Sequence, residues 1–304
     1  MIRYAKYVVL VFLVAVPACF SGHPAMAAGT LRVGTGAGCF SGIQDAIDAA
    51  EDGTIIAIDE GAYRENLTID RPVTLLGGGG VRLIPEDVAR PAIAIGDTEG
   101  VTVSGLRIEE AKVGIDISGS PCMIADCSIG ASEVGIAVLL PDGDAVTILD
   151  TVVRDERTGI GATVLGAGSV LFTRCTFRRL ATGLLIGGLG MTGLQACELE
   201  GCYEAVVASA TATVLLAQCG VHDSYANAIR LERGPFPADD GALLAIDCVI
   251  EDSGGWGITL CGLDGIPPDA PFGRIGGFGN VFAGNGRGII CPAAFELPEG
   301  FVAE

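Results

Sequence analysis

His222 is the one histidine outside the first thirty residues, and carboxylates and an arginine stand near it in repeat position. An imidazole with Glu200, Asp223 and Glu251 around it and Arg230 closing the group is a residue set that can take a proton as a general base while a cation offsets substrate charge. A second set, Arg154, Arg178, Arg179, Tyr203, Tyr225 and Trp256, has the chemistry of a sugar-binding ridge. Rings stack on pyranose faces, and guanidinium forks hold hydroxyls or carboxylates. Solvated loop charges that pair across neighbouring turns are the plainer reading of the same residues.

Either reading needs an architecture that brings these positions together, and an internal repeat supplies it. Asp126-Cys127-Ser128-Ile129, Asp150-Thr151-Val152-Val153, Arg174-Cys175-Thr176-Phe177, Ala196-Cys197-Glu198-Leu199, Gln218-Cys219-Gly220-Val221, Asp247-Cys248-Val249-Ile250 and Gly279-Asn280-Val281-Phe282 are one motif, its second residue recurring at intervals of 24, 24, 22, 22, 29 and 32. After each comes a polar loop and a second short strand, as in Gly135-Ile136-Ala137-Val138 and Gly183-Leu184-Leu185-Ile186, and an eighth copy begins at Leu106. Units this short with period-two alternation are too small for helix pairs. A coil that stacks like strands about 4.8 Å apart satisfies the pattern, so the spacing predicts an all-β parallel β-helix. Three positions past the anchor the column reads Glu109, Gly130, Arg154, Arg178, Glu200, His222 and Glu251, with Arg179, Asp223 and Asp252 one further on.

Arg3 and Lys6 precede the apolar run Tyr7 to Val16, the layout of a secretory signal over 1–27. Ala25-Met26-Ala27 fits a cleavage site; Val16-Pro17-Ala18-Cys19 also fits a lipoprotein box, the one route by which this chain would reach a membrane. The expectation is a secreted or periplasmic protein with one domain over 28–304. With 18 basic and 37 acidic residues the net charge is −19, which points away from nucleic acid as a partner. Removing Arg3 and Lys6 takes it to −19 − 2 = −21.

Eleven cysteines in an exported chain suggest disulfides. The spacing suggests instead a column of reduced, buried thiols at Cys127, Cys175, Cys197, Cys219 and Cys248, ending in Asn280. Cys261 and Cys291 are the pair best placed to bridge, and Cys39, Cys122 and Cys202 have no evident partner. No CxxC or His partner accompanies the column, so no metal site is expected. Asp239, Asp240, Asp264 and Asp269 could hold calcium but lack an organised oxygen-ligand spacing, and no cofactor is indicated.

The stretch Ser41-Gly42-Ile43-Gln44-Asp45-Ala46-Ile47-Asp48-Ala49-Ala50, followed by Asp52-Gly53-Thr54-Ile55-Ile56 and Gly61-Ala62-Tyr63-Arg64-Glu65-Asn66-Leu67-Thr68-Ile69, resembles the N-terminal signature of right-handed parallel β-helix proteins of the pectate-lyase-like superfamily. With the repeats, the resemblance spans about residues 35 to 291. Ser41 with Gln44 reads as a capping box, and Ile43, Ala46, Ile47 and Ala50 as the apolar stripe of a short helix that closes the first coil within a cap over about 37–52. The tail over 293–304 would close the other end.

In that superfamily the active groove runs outside one sheet. Here the outward residues of the second strand series are read as Asp116, Ala137, Gly161, Leu185, Val207, Arg230, Thr259 and Ile290, without the paired carboxylates a catalytic sheet needs. The apolar part of that strip implies a cover, either the loops 232–243 and 262–273 or another chain. Asp126, Asp150, Arg174 and Gln218 resemble the residue types of pectin methylesterases, but at a bend where Asp favours turns. The Gly-His-Gly of polygalacturonases, the Arg-x-Pro-x-x-Arg of pectate lyases and the Asp-Pro-His-Asp of alginate epimerases are absent. The leading expectation is an exported β-helix that binds a polysaccharide or a protein partner, with no confirmed catalysis. The alternatives are a lyase, hydrolase or esterase acting on a uronate or acetylated glycan, and an accessory factor similar to the periplasmic β-helix proteins of copper-enzyme maturation. The scarcity of His and Met speaks against copper handling in the latter.

Overall fold

The computed structural model describes residues 29–141, 143–155, 158–209, 211–232, 241–261, 274–291 and 296–303, without the side chain of Ser132. The leader over 1–27 with Cys19, the four aspartates weighed for calcium, and most of the loops 232–243 and 262–273 lie outside the described residues. What it shows is a right-handed parallel β-helix.

Each coil contributes three strands in turn, one more than the repeat suggests. Ser169–Thr173 lies on a first face, Thr176–Arg178 on a second and Thr182–Ile186 on a third. The next coil repeats them as Met191–Gln195, Glu198–Glu200 and Glu204–Ser209, paired in parallel with the strands below. Early in the chain one strand, Val101–Ser118, runs through a whole coil, with Gly105 and Glu110 in the left-handed region at its corners.

Both tight corners are made by one residue in the left-handed region. At the first corner these are Asp126, Asp150, Arg174, Ala196, Gln218 and Asp247, with φ between 47° and 54°, and at the second they include Glu110, Arg179, Asp223 and Asp252. The bend turns the next side chain to the axis, so Cys127, Thr151, Cys175, Cys197, Cys219, Cys248 and Asn280 are all buried. Their job is to satisfy corner backbone: the thiols of Cys175, Cys197 and Cys219 donate to the carbonyls of Ile148, Phe172 and Leu194 at 3.4, 3.5 and 3.4 Å, and the Thr151 hydroxyl donates to Leu149 O at 2.8 Å. Burial pushes the Cys127 thiol up to about 11, whereas Cys197 and Cys248 are raised first by hydrogen bonding to neighbouring thiols and then by burial. A second ladder follows the second corner, where Leu180, Cys202, Ser224 and Ser253 are buried and the Asn285 amide accepts from Ser253 N and donates to Ile250 O. Cys202, which has no evident partner in sequence, belongs there and donates to Phe177 O, and Cys122 is a core residue of the first face beside Val101 and Val146.

Small residues line the start of the third face. Gly114, Gly135, Gly161 and Gly183 occupy a column continued by Ala205, Ala228 and Gly257, where a Cβ on Gly161 would sit 2.6 Å from Phe177 Cδ1 and against the Gly183 carbonyl oxygen. Only a residue without a bulky side chain lets consecutive coils close here.

The outer surface of the first face reads Thr30, Ile55, Thr74, Thr102, Met123, Thr147, Leu171, Gly193, Leu215, Leu244 and Gly276 in one register column. The next column reads Arg32, Ala57, Leu76, Ser104, Ala125, Leu149, Thr173, Gln195, Ala217, Ile246 and Phe278.

Helix α1, Ile43–Ala49, buries Ile43, Ala46 and Ile47 against the first coil. The capping box expected of Ser41 and Gln44 does not form: Gly42 is the N-cap, and the Glu65 carboxylate accepts from Ile43 N and Gln44 N at 2.8 and 2.9 Å. The Gln44 amide instead accepts from Thr68 N at 2.8 Å and donates to Thr68 O, pinning the helix to the strand beneath it. At the far end Phe301 is buried and stacks on Phe282, and Val302 bridges Asn280. Cys261 and Cys291 are free thiols rather than a bridge, because register sets Cys261 beside Glu232 and Cys291 beside Thr259.

Candidate functional site

On the second face the outward column is Gly130, Arg154, Arg178, Glu200, His222 and Glu251 in consecutive register, as the repeat spacing requires. His222 is clamped between two coils, its Nε2 3.2 Å from Glu198 Oε2 and its Nδ1 3.1 Å from Glu251 Oε1. Glu198, not Glu200, is therefore its lower partner; Glu200 reaches down to Arg178 at 2.6 Å. Asp223 is the left-handed corner residue after His222, with a φ of 55°, and Arg179 holds the equivalent corner position two coils below.

Arg230 does not close this group. It projects from the third face, where Nε lies 2.8 Å from Glu204 Oε1 and the guanidinium also pairs with Glu232. The corner between His222 and Arg230 turns the chain from one face to the next, which separates residues only eight apart in sequence. Both ring nitrogens of His222 are engaged, so proton transfer to a substrate would first have to open one carboxylate contact.

The outward column of the third face is Asp116, Ala137, Thr163, Leu185, Val207, Arg230, Thr259 and Cys291. Thr163 and Cys291 replace the expected Gly161 and Ile290, which pack inward. Asp116 stands between Ala94 and Ala137, and burial pushes its carboxyl up. Asp116 lies four coils below Glu204, whereas Glu204 and Glu232 sit on adjacent coils and share the Arg230 guanidinium, so that carboxylate pair is already bridged by a cation. Val207 is 2% exposed although it faces outward.

The aromatic residues gather at the second corner. Tyr203 and Tyr225 directly follow the ladder residues Cys202 and Ser224, and their amides donate to Leu180 O and Cys202 O at 2.8 and 2.9 Å. They are thus equivalent positions in consecutive coils, 59% and 51% exposed. Trp256 sits one coil higher at the start of the third face. The Asn227 side chain accepts its backbone N–H at 3.0 Å, and its ring lies over Gly288. Sequence reasoning missed Glu198 and Glu204. Their outward strand parity was legible, but which neighbour each reaches depends on corner geometry. The methylesterase-like column proves to be the first corner itself, where Arg174 donates to both oxygens of Asp150 at 2.7 and 2.6 Å. That pairing holds the Asp150 carboxyl below its usual range. Among the described residues no three His, Cys, Asp or Glu side chains converge on a metal position.

No protein-family model matches the chain, and no curated protein matches it. Solved structures do. A pectin methylesterase from Aspergillus niger aligns over 92% of this chain and 94% of its own with 16% identity and a TM-score of 0.51. The catalytic domain of a GH87 α-1,3-glucanase aligns over 90% and 68% with 12% identity and a TM-score of 0.55. The A-module of the Azotobacter vinelandii mannuronan C-5 epimerase aligns over 86% and 95% with 14% identity and a TM-score of 0.50. At these identities the likeness is one of fold.

Proposed function

We propose that this chain is an exported β-helix that binds a carbohydrate chain along its second corner and second face without processing it. The observation that carries this reading is the pair Tyr203 and Tyr225, both exposed and one coil apart; Gly254 takes the next position of that column, and Trp256 stands two residues on, at the start of the third face. Two rings about 4.8 Å apart along the axis offer adjacent stacking surfaces. Beside them the carboxylates Glu198, Glu200 and Glu251 are already committed to His222 or Arg178. Arg154, Arg178 and Arg179 add hydrogen-bond donors lower on the same side, and the β-helix enzymes that share the fold act on polysaccharides, which supports the ligand class.

A second reading is favoured by the clamped imidazole. His222 between two glutamates is a group that could gate a proton in a polysaccharide lyase, hydrolase or esterase. Retention on insoluble glycans and product release from a polysaccharide panel test both readings. The binding reading expects retention without product and about a tenfold loss of affinity for Tyr225→Ala and for Trp256→Ala, about 1.4 kcal/mol each. Unchanged retention of both variants would remove the aromatic corner as the site. Product that vanishes in His222→Ala, with unchanged circular dichroism, would establish the enzyme instead.

A further inference from the structure

We infer that two copies of this chain pack against each other through the outer surface of the first face. The two register columns of that surface cover eleven coils each and contain one charged residue, Arg32, in a chain with 37 acidic and 18 basic residues. A third column, from Ala145 through Met191 to Arg274, adds one more at the last coil. The second face, built from the same coils, carries charges at the equivalent outward positions, among them Arg107, Arg154, Arg178 and Glu198. A solvated β-helix surface is expected to be mixed and charged. A contiguous face without acids, on which Ile55, Leu76 and Phe278 are exposed at 38, 48 and 37%, has the composition of a contact surface.

Size and charge select the occupant. Ten steps of about 4.8 Å by three columns about 7 Å apart give roughly 700 Å², close to the about 800 Å² that each partner of a standard stable interface buries. Two chains of net charge −19 repel everywhere except where the acid is missing, so this face is where a second copy can approach. Parallel ridges of constant spacing suit face-to-face sheet packing, and a two-fold axis makes one such surface its own complement. The single ring in the two columns, Phe278, gives a glycan nothing to climb, and the missing cations give an anionic polymer nothing to hold.

Sedimentation velocity of the full chain tests this. The wild type is expected to be a dimer at about 10 µM. The double variant Leu171→Glu/Leu244→Glu, at two outward and partly exposed positions, should dissociate at least about 100-fold more readily with its far-ultraviolet circular dichroism unchanged. Thr147→Glu alone provides the same reading, at smaller size, should the double variant fold poorly. Arg154→Glu on the second face should remain a dimer. A wild type that is monomeric at about 100 µM, a dimer indifferent to every first-face substitution, or a monomer that instead cosediments with phosphatidylcholine vesicles would each overturn the inference.

Discussion

Gly161→Val should lower the melting temperature by about 10 °C, while Gly143→Ala leaves it within about 1 °C. The first side chain has no space: its Cβ would stand 2.6 Å from Phe177 Cδ1 and 2.8 Å from Leu180 Cδ1, and against the carbonyl oxygen of the next coil. The obstacle includes backbone, which cannot rotate away, so the coils must separate or the phenylalanine leave its place. Overpacking of this kind costs about 3 kcal/mol or more. Gly143 has open space around its Cβ direction and serves as the control. Calorimetry of both variants checks the pair; a Gly161→Val protein that melts with the wild type would mean that the coils do not approach as closely as the register demands.

Asn280→Ala should be the costliest single change among the ladder residues, about 3 kcal/mol or more, against about 1 to 2 kcal/mol for Cys197→Ala. The Asn280 side chain is wholly buried, accepts from Cys248 N at 3.0 Å and donates to Ala245 O and Phe301 O at 2.8 Å each. Alanine leaves the buried Cys248 amide without its partner and takes the side-chain donor from Ala245 O and Phe301 O, which loosens the tail that seats Phe301 over Phe282 and leaves it held by backbone bonds such as Asn280 N to Phe301 O. Cys197 offers one weak donor shared between Phe172 O and Gln195 O at 3.5 Å, so its removal mainly opens a small cavity. Because each coil touches only its neighbours, the Asn280 lesion should be local. Hydrogen exchange is expected to accelerate at the Cys248 and Phe301 amides while the coils before about residue 200 keep their protection. Equal destabilisation by the two substitutions would contradict the division of labour assigned to the ladder.

The anchor column was legible because its chemistry is narrow: a buried residue after a left-handed corner must be small and able to hydrogen-bond, which leaves Cys, Thr and Asn. The second corner was not, because Leu180, Cys202, Ser224, Ser253 and Asn285 share no residue type. The helix cap was misread because the Glu65 carboxylate, 22 residues on, reaches the free amides before Ser41 can, a tertiary contact that local spacing does not encode. Gly161 and Ile290 were set outward by matching Gly-Ile at 159–160 and Gly288-Ile289 to the other copies. The corners there have different lengths, and register pairs Ala162 with Ile136 and Ile290 with Ile258. For the candidate site, sequence spacing placed Glu200, His222 and Glu251 in one column but could not tell that Arg230 turns onto another face.

The coil register underlies every assignment above, and thiol accessibility tests it most directly. Alkylation of the reduced native protein, located by peptide mass spectrometry, should mark Cys39, Cys261 and Cys291, which are partly exposed, and leave Cys127, Cys175, Cys197, Cys202, Cys219 and Cys248 unmodified until denaturant is added. Native modification of Cys175, Cys197 and Cys219 at the rate of Cys261 would place the ladder outside the core and contradict the stacked coil.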